Sequence, residues 1–138
     1  RQPVAQMRLA VAAWCLLLLV GAAPPPAPLT VQVTVTEFAF TPNVLNLIEG
    51  RPVTLVLKNT GQIEHTMASA YLASQRLTLK GESREGETDS KWKFVGIDPR
   101  ETAEITFTPQ GRGRFPFQCS IEGHAEAGMM GTFVVSPP

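Results

Sequence analysis

The stretch TVQVTVTEFAF (residues 30–40) alternates between apolar and polar side chains. In an extended strand, such alternation places every second side chain on the same face. The apolar residues of the first half share one face: Val31, Val33 and Val35. The phase changes at Glu37, after which Phe38 and Phe40 continue the apolar set. A change of phase within a strand is typical of a β-bulge, so the stretch predicts a half-buried strand with a bulge near Glu37.

Residues 53–59, 102–109 and 113–120 alternate in the same way, and residues 43–52 and 131–135 predict two further short strands, with Gly, Pro and Asn between the strands. The sequence contains no long segment with the 3.6-residue period of an amphipathic helix. Several short strands separated by turns indicate an all-β protein, and we expect an antiparallel β-sandwich.

The segment from about 68 to 93 departs from this pattern, because most of it is polar and carries charges of both signs. Its beginning, around Tyr71 and Leu72, is compatible with one or two turns of helix. We therefore predict a polar insertion at about 68–93, which forms a solvated flap between two strands of the sandwich.

Length and charge limit the number of domains and the kinds of partner that the chain can have. The chain has 138 residues, enough for one domain, and its 12 basic and 12 acidic residues give a formal net charge of zero. No basic face is available to bind nucleic acid. We expect a monomer with no nucleic-acid partner.

Residues 1–23 have the layout of a secretory signal, with two arginines, an uncharged run and small residues at its end. The uncharged run, residues 9–23, is shorter than the roughly 20 apolar residues that a membrane-spanning helix needs. We expect a signal peptide or an uncleaved N-terminal membrane anchor. A Pro-rich linker (24–29) and one domain (30–138) follow. This predicts an exported protein, in the periplasm or at the extracellular face of the membrane.

Export changes how the two cysteines are interpreted. Cys15 lies in the predicted signal, and Trp14 stands where a lipoprotein signal needs a small residue. After cleavage, Cys119 would be the single thiol of the chain, in a compartment where thiols tend to oxidise. Metal ligation is one explanation for such an unpaired cysteine.

The stretch CSIEGHAEAGMMG (residues 119–131) contains Cys119, His124 and Met129 with four residues in each gap. The other histidine, His65, follows a turn after the strand at 53–59, and loops gather at one end of a sandwich. A thiolate, two imidazoles and a thioether match the trigonal site with a weak axial Met that electron-transfer copper prefers. The sequence thus predicts a site for one copper ion, held by His65, Cys119, His124 and Met129.

These motifs resemble the cupredoxins, the blue-copper proteins that include plastocyanin, azurin, auracyanin and rusticyanin. The resemblance covers about residues 30–135 except the insertion, and is most specific in NTGQIEH (59–65) and FQCSIEGHAEAGMMG (117–131). It implies a Greek-key β-sandwich and the same four metal ligands. The two gaps of four residues are more similar to auracyanin and rusticyanin than to plastocyanin.

The resemblance also implies contacts around the metal. Thr66 and Ser120 follow two of the ligands, and we expect a hydrogen bond between them. Redox partners of the cytochrome or oxidase type should dock transiently near His124, on an apolar surface rimmed by Glu122 and Glu126.

We expect a type 1 copper protein that carries single electrons outside the cytoplasm, and not an enzyme. The alternative is a carrier that delivers copper to an oxidase. A Cys–His nucleophile would need a third, orienting group. A multicopper oxidase or copper nitrite reductase needs more than the two histidines present, and structural zinc usually takes more than one thiolate. Met130 is the alternative to Met129 as the axial ligand.

Overall fold

Two stacked β-sheets make up the fold. The structure is a computed structural model, and it describes residue 1, residues 19–81 and residues 83–138. The described residues form these elements in chain order: β1 (Leu29–Thr36), β2 (Ala39–Thr41), β3 (Val44–Ile48), β4 (Val53–Asn59), β5 (His65–Ser69), α1 (Ala70–Ala73), β6 (Thr78–Gly81), β7 (Ser83–Glu87), β8 (Lys93–Ile97), β9 (Thr102–Phe107), β10 (Gly113–Gln118) and β11 (Met130–Ser136). One sheet has the order β2-β1-β4-β9-β6 and the other the order β3-β11-β10-β5-β8-β7.

The alternating residues of the central strands form the core. In β4 and β9 the apolar residues of the predicted pattern are all buried: Val53, Leu55, Leu57, Ala103, Ile105 and Phe107. Leu55 lies opposite Ile105 in the antiparallel pair. In the other sheet, Phe117 of β10 packs against Phe133 of the neighbouring strand β11, and it packs edge-on against Phe40 of β2 across the sandwich. The all-β sandwich predicted from the alternation is confirmed.

The sheets are mixed rather than purely antiparallel, which corrects the prediction. β1 pairs with β4 in parallel, and β11 pairs with β3 in parallel. After β2 the chain crosses to the other sheet to form β3, and it then returns as β4 beside β1. Alternation fixes which face a side chain occupies, but it carries no information on strand direction.

The phase change at Glu37 is a hairpin turn and not a bulge. β1 and β2 pair in antiparallel, with Thr36 opposite Ala39, so Glu37 and Phe38 form a two-residue connection. Phe38 has a φ of 64°, in the left-handed region that costs a residue with a Cβ about 1–2 kcal/mol. A turn and a bulge change the phase of the pattern in the same way, and the sequence did not distinguish them.

The segment predicted as a solvated flap is built into both sheets. The helix α1 forms at its start, with Tyr71 and Leu72 buried. β6 is the edge strand of one sheet, and β7 and β8 extend the other. Charged residues are common on edge strands because they discourage pairing with other chains, so the polar composition reflects the edge position.

The predicted signal or anchor lies mostly outside the described residues, since residues 2–18 are not described. No helix in the described part of the chain is long and apolar enough to cross a membrane.

Candidate metal centre

Two loops at one end of the sandwich bring the predicted ligands together. The first ligand loop (residues 59–65) ends at His65, which begins β5, and the second ligand loop (residues 119–129) joins β10 to β11. One donor atom from each of His65, Cys119 and His124 lies within 4.8 Å of the other two. All three residues are buried. The structure therefore gathers three of the four predicted ligands into one cluster.

Met129 also lies at this end of the sandwich, directly before β11. Its backbone N–H donates to the carbonyl of His124, and its carbonyl accepts from the N–H of Cys119, both at 3.1 Å. The Met129 side chain is fully buried, whereas Met130 is 48% exposed. This burial agrees with Met129 rather than Met130 as the fourth predicted ligand, and its ligand role stays a prediction.

The imidazole of His65 has two nitrogens in different surroundings. Nε2 lies 3.2 Å from Oε1 of Glu37. Nδ1 is buried and has no hydrogen-bond partner among the described residues. A carboxylate can only accept, so Nε2 carries the proton and Nδ1 presents a lone pair. Burial lowers the pKa of His65, and the Glu37 carboxylate opposes this effect.

Two nitrogen atoms lie close to the sulfur of Cys119. The backbone N–H of Thr66 points at Sγ from 3.4 Å, and Nδ1 of His124 is also 3.4 Å from Sγ. Cys119 forms no disulfide in the described part of the chain. Cysteine binds metals through its thiolate sulfur, and the Thr66 N–H lies within hydrogen-bond distance of this sulfur.

The predicted link between the two loops is confirmed. The hydroxyl oxygen of Thr66 accepts the backbone N–H of Ser120 at 2.7 Å, and the two hydroxyl oxygens are 2.8 Å apart. The loops that carry His65 and Cys119 are thereby tied side by side.

Tight turns shape the second ligand loop. Gly123 and Gly128 have φ values of 82° and 103°, a conformation that favours glycine over residues with a Cβ. Backbone hydrogen bonds within the loop, such as Ala127 N–H to the Gly123 carbonyl, hold this shape.

Sequence reasoning missed two residues that hold the first ligand loop. The buried Asn59 donates to the carbonyls of Ile63 and Ile97, each at 2.8 Å, and accepts from the N–H of Gly61. Glu37 contacts the loop from the β1–β2 turn. In the sequence, Asn59 stands out as a polar residue at the end of a buried strand, and Glu37 stands out at the phase change. Neither position shows which residues these side chains contact.

Residues 8–135 match the family of the cupredoxin-like domain. The chain belongs to the cupredoxin family. Its sandwich and its cluster of His65, Cys119 and His124 are those of a copper-binding cupredoxin.

Similar proteins include copper-resistant cuproproteins named CopI. The cupredoxin is 35% identical to CopI of Vibrio cholerae over 80 residues, which are 56% of this chain and 47% of that protein. It is 30% identical to CopI of Rubrivivax gelatinosus over 112 residues, which are 77% of this chain and 66% of that protein. The chain thus spans less than two thirds of the length of either relative.

Among solved structures, auracyanin A of Chloroflexus aurantiacus, described as a blue copper protein, superimposes with a TM-score of 0.59. The match covers 80% of this chain and 100% of auracyanin A, at 22% identity. Identity this low supports the shared fold alone.

The residues of this cupredoxin fit one copper ion. Nδ1 of His65 has no hydrogen-bond partner in the part of the chain that the structure describes, and His65 belongs to the same cluster as a thiol and a second imidazole. Soft sulfur with imidazole nitrogen is the donor set that copper prefers in both of its common oxidation states.

Proposed function

We propose that this cupredoxin is a type 1 copper protein that carries single electrons between redox partners, with His65, Cys119, His124 and Met129 as copper ligands. The observation that carries the proposal is the burial of all four side chains within a sandwich. Copper supplies the one-electron change between its two oxidation states.

The surroundings of the ligands support electron transfer rather than metal exchange. His65 is fixed by β5 and by Glu37, and Cys119 is fixed by Thr66. Side chains held in this way can move little when the charge at the site changes. Little movement means little reorganisation, which favours fast electron exchange.

Electrons would enter and leave near His124, which is buried but lies close to the surface at 7% exposure. Large apolar residues in or beside the two loops are exposed: Phe38, Ile63 and Met130. The ring of Phe38 packs edge-on against the imidazole of His124 with centroids 5.1 Å apart. A small apolar surface suits a transient redox complex that must separate quickly.

Ala127→Lys tests this docking surface, because Ala127 is exposed on the second ligand loop and is not a ligand. The added charge should slow electron exchange with a redox partner while the visible spectrum stays unchanged. Asn46→Lys adds the same charge to an exposed position on β3 and serves as the control. Equal exchange rates for the two variants would place the docking surface elsewhere.

A second candidate is a role in copper handling, either delivery to an oxidase or protection against excess copper. It is favoured by the relatives, which are named copper-resistant cuproproteins. A protein that delivers copper must release it to a partner, and a buried ligand set opposes release.

Two rates measured on the same copper-loaded sample separate the candidates. One is oxidation of the reduced protein by ferricyanide, and the other is loss of copper(I) to a chelator. We expect copper to remain bound through repeated oxidation and reduction. Copper loss that outpaces electron exchange would favour delivery instead.

We also propose that the protein acts outside the cytoplasm and is not an enzyme. The basic and apolar N-terminal segment supports export. With two histidines in the whole chain, both in the copper cluster, no further histidine is available for a second copper centre of the oxidase type.

A further inference from the structure

The turn between β1 and β2 lies against both histidines of the metal centre. Glu37 bonds His65 with its carboxylate, and Phe38 contacts the ring of His124. Phe38 adopts the left-handed backbone conformation that bulky residues rarely adopt outside special sites. Two adjacent residues of one tight turn therefore contact the two imidazoles, although the turn supplies none of the predicted ligands.

Three nitrogen atoms surround one oxygen of the Glu37 carboxylate. Its Oε1 accepts the backbone N–H groups of Gln62 at 2.7 Å and Ile63 at 3.4 Å, in addition to Nε2 of His65. These donors fix the oxygen beside the imidazole.

Gly61 leaves the space that the carboxylate fills. A Cβ added at Gly61 would collide with the carboxylate, and the three nearest atoms all belong to the Glu37 side chain. Gly61 does not have a positive φ, so its backbone conformation does not demand glycine. The absence of a side chain at residue 61 is explained by the position of Glu37.

We propose that Glu37 is a positioning residue of the metal centre, whose carboxylate holds His65 in the Nε2–H tautomer and directs Nδ1 at the metal. The inference rests on the proposed copper site. A carboxylate bonded to the far nitrogen of a ligating histidine fixes the ring orientation and increases the basicity of the ligand. Its negative charge also stabilises the more highly charged copper(II) relative to copper(I).

Three variants separate the parts of this role. Glu37→Gln keeps an oxygen that can accept from Nε2 but removes the charge. Glu37→Ala removes both. Gly61→Ala leaves Glu37 in the chain but pushes its flexible carboxylate off His65. Glu49→Gln, at the far end of the sandwich where Glu49 pairs with Arg112, controls for the change in net charge.

The first measurement uses the copper-free protein. Nitrogen-15 NMR should show the Nε2–H tautomer of His65 in the wild type, Glu37→Gln and Glu49→Gln. Glu37→Ala and Gly61→Ala should show a mixture of tautomers. An unchanged pure Nε2–H tautomer in Glu37→Ala would overturn the inference.

The second measurement uses the copper-loaded protein. Loss of such a partner typically weakens metal binding by roughly 10–100-fold. If copper(II) loses tenfold more affinity than copper(I), the reduction potential rises by about 59 mV. We expect this direction for Glu37→Gln and a larger rise for Glu37→Ala. Shifts no larger than that of Glu49→Gln would contradict the role of Glu37.

The double variant Glu37→Ala/Gly61→Ala provides the coupling test. With the carboxylate gone, the added Cβ has room, so Gly61→Ala should have little further effect on tautomer or potential. Additive effects would show that Gly61 acts independently of Glu37 and would overturn the inference. If wild-type protein bound no copper, the proposed function would fail, while the tautomer measurement would still decide the role of Glu37.

Discussion

The two ligand loops are held in different ways. The second ligand loop is closed by its own backbone, because the N–H groups of His124, Ala127, Gly128 and Met129 all donate to carbonyls within the loop. The first ligand loop depends on distant residues: its backbone N–H groups donate to the Val35 and Glu101 carbonyls and to the Glu37 side chain. His124 therefore lies in a loop that is stabilised by local hydrogen bonds, whereas the position of His65 depends on residues from distant parts of the chain.

This difference bears on the proposed function. His65 is fully buried and braced on its far nitrogen, whereas His124 lies near exposed apolar residues. In the proposed function, the first ligand loop would provide the fixed side of the centre, and the second would provide the side that a redox partner approaches.

We expect the largest effect from replacing Cys119, whose sulfur lies close to both Thr66 and His124. Cys119→Ser should abolish the intense colour of the copper(II) protein, because that absorption requires a thiolate bound to copper. The sandwich should remain folded, with a change of at most about 2 kcal/mol for one side chain at a strand end. Visible spectroscopy and far-UV circular dichroism check the two statements. A coloured Cys119→Ser protein would contradict the ligand assignment.

The next effect tests whether the first ligand loop depends on distant partners. Asn59→Ala removes the buried amide that joins Gly61, Ile63 and Ile97. Leaving these backbone groups without partners should lower the free energy of unfolding by about 2–3 kcal/mol. Urea unfolding of the copper-free protein measures the change. Asn46→Ala, at an exposed position, should change it by no more than about 0.5 kcal/mol, and equal losses would remove the special role of Asn59.

A smaller effect tests the link between the loops. Thr66→Val removes the oxygen that accepts the Ser120 N–H and should cost about 1–2 kcal/mol. Ser120→Ala leaves that bond in place and should cost about 0.5–1 kcal/mol. Thr66→Ser retains the hydroxyl and serves as the matched control. If Thr66→Val and Thr66→Ser unfold at the same urea concentration, the hydroxyl does not join the loops.

The smallest effect on stability distinguishes the two methionines at the end of the second ligand loop. Met129→Leu conserves volume and should cost less than about 1.5 kcal/mol, but it should raise the reduction potential by removing the axial thioether. Met130→Leu should leave the potential nearly unchanged, since Met130 is exposed. Voltammetry compares the two, and the reverse result would make Met130 the ligand.

The sequence alone determined the features that depend on local pattern. The alternation identified the faces of the strands, and the spacing of Cys119, His124 and Met129 identified a loop whose hydrogen bonds are largely its own. Such features can be predicted because neighbours in the chain are also neighbours in space.

Only the tertiary structure decided the features that join distant residues. It made the sheets mixed, placed the polar segment at sheet edges, and brought Glu37 to His65 across 28 positions of the chain. Alternation gives a side chain its face but gives a strand neither its partner nor its direction. The contact between Glu37 and His65 exists because β1 lies beside β4 in one sheet while β5 belongs to the other, and no local pattern records that pairing.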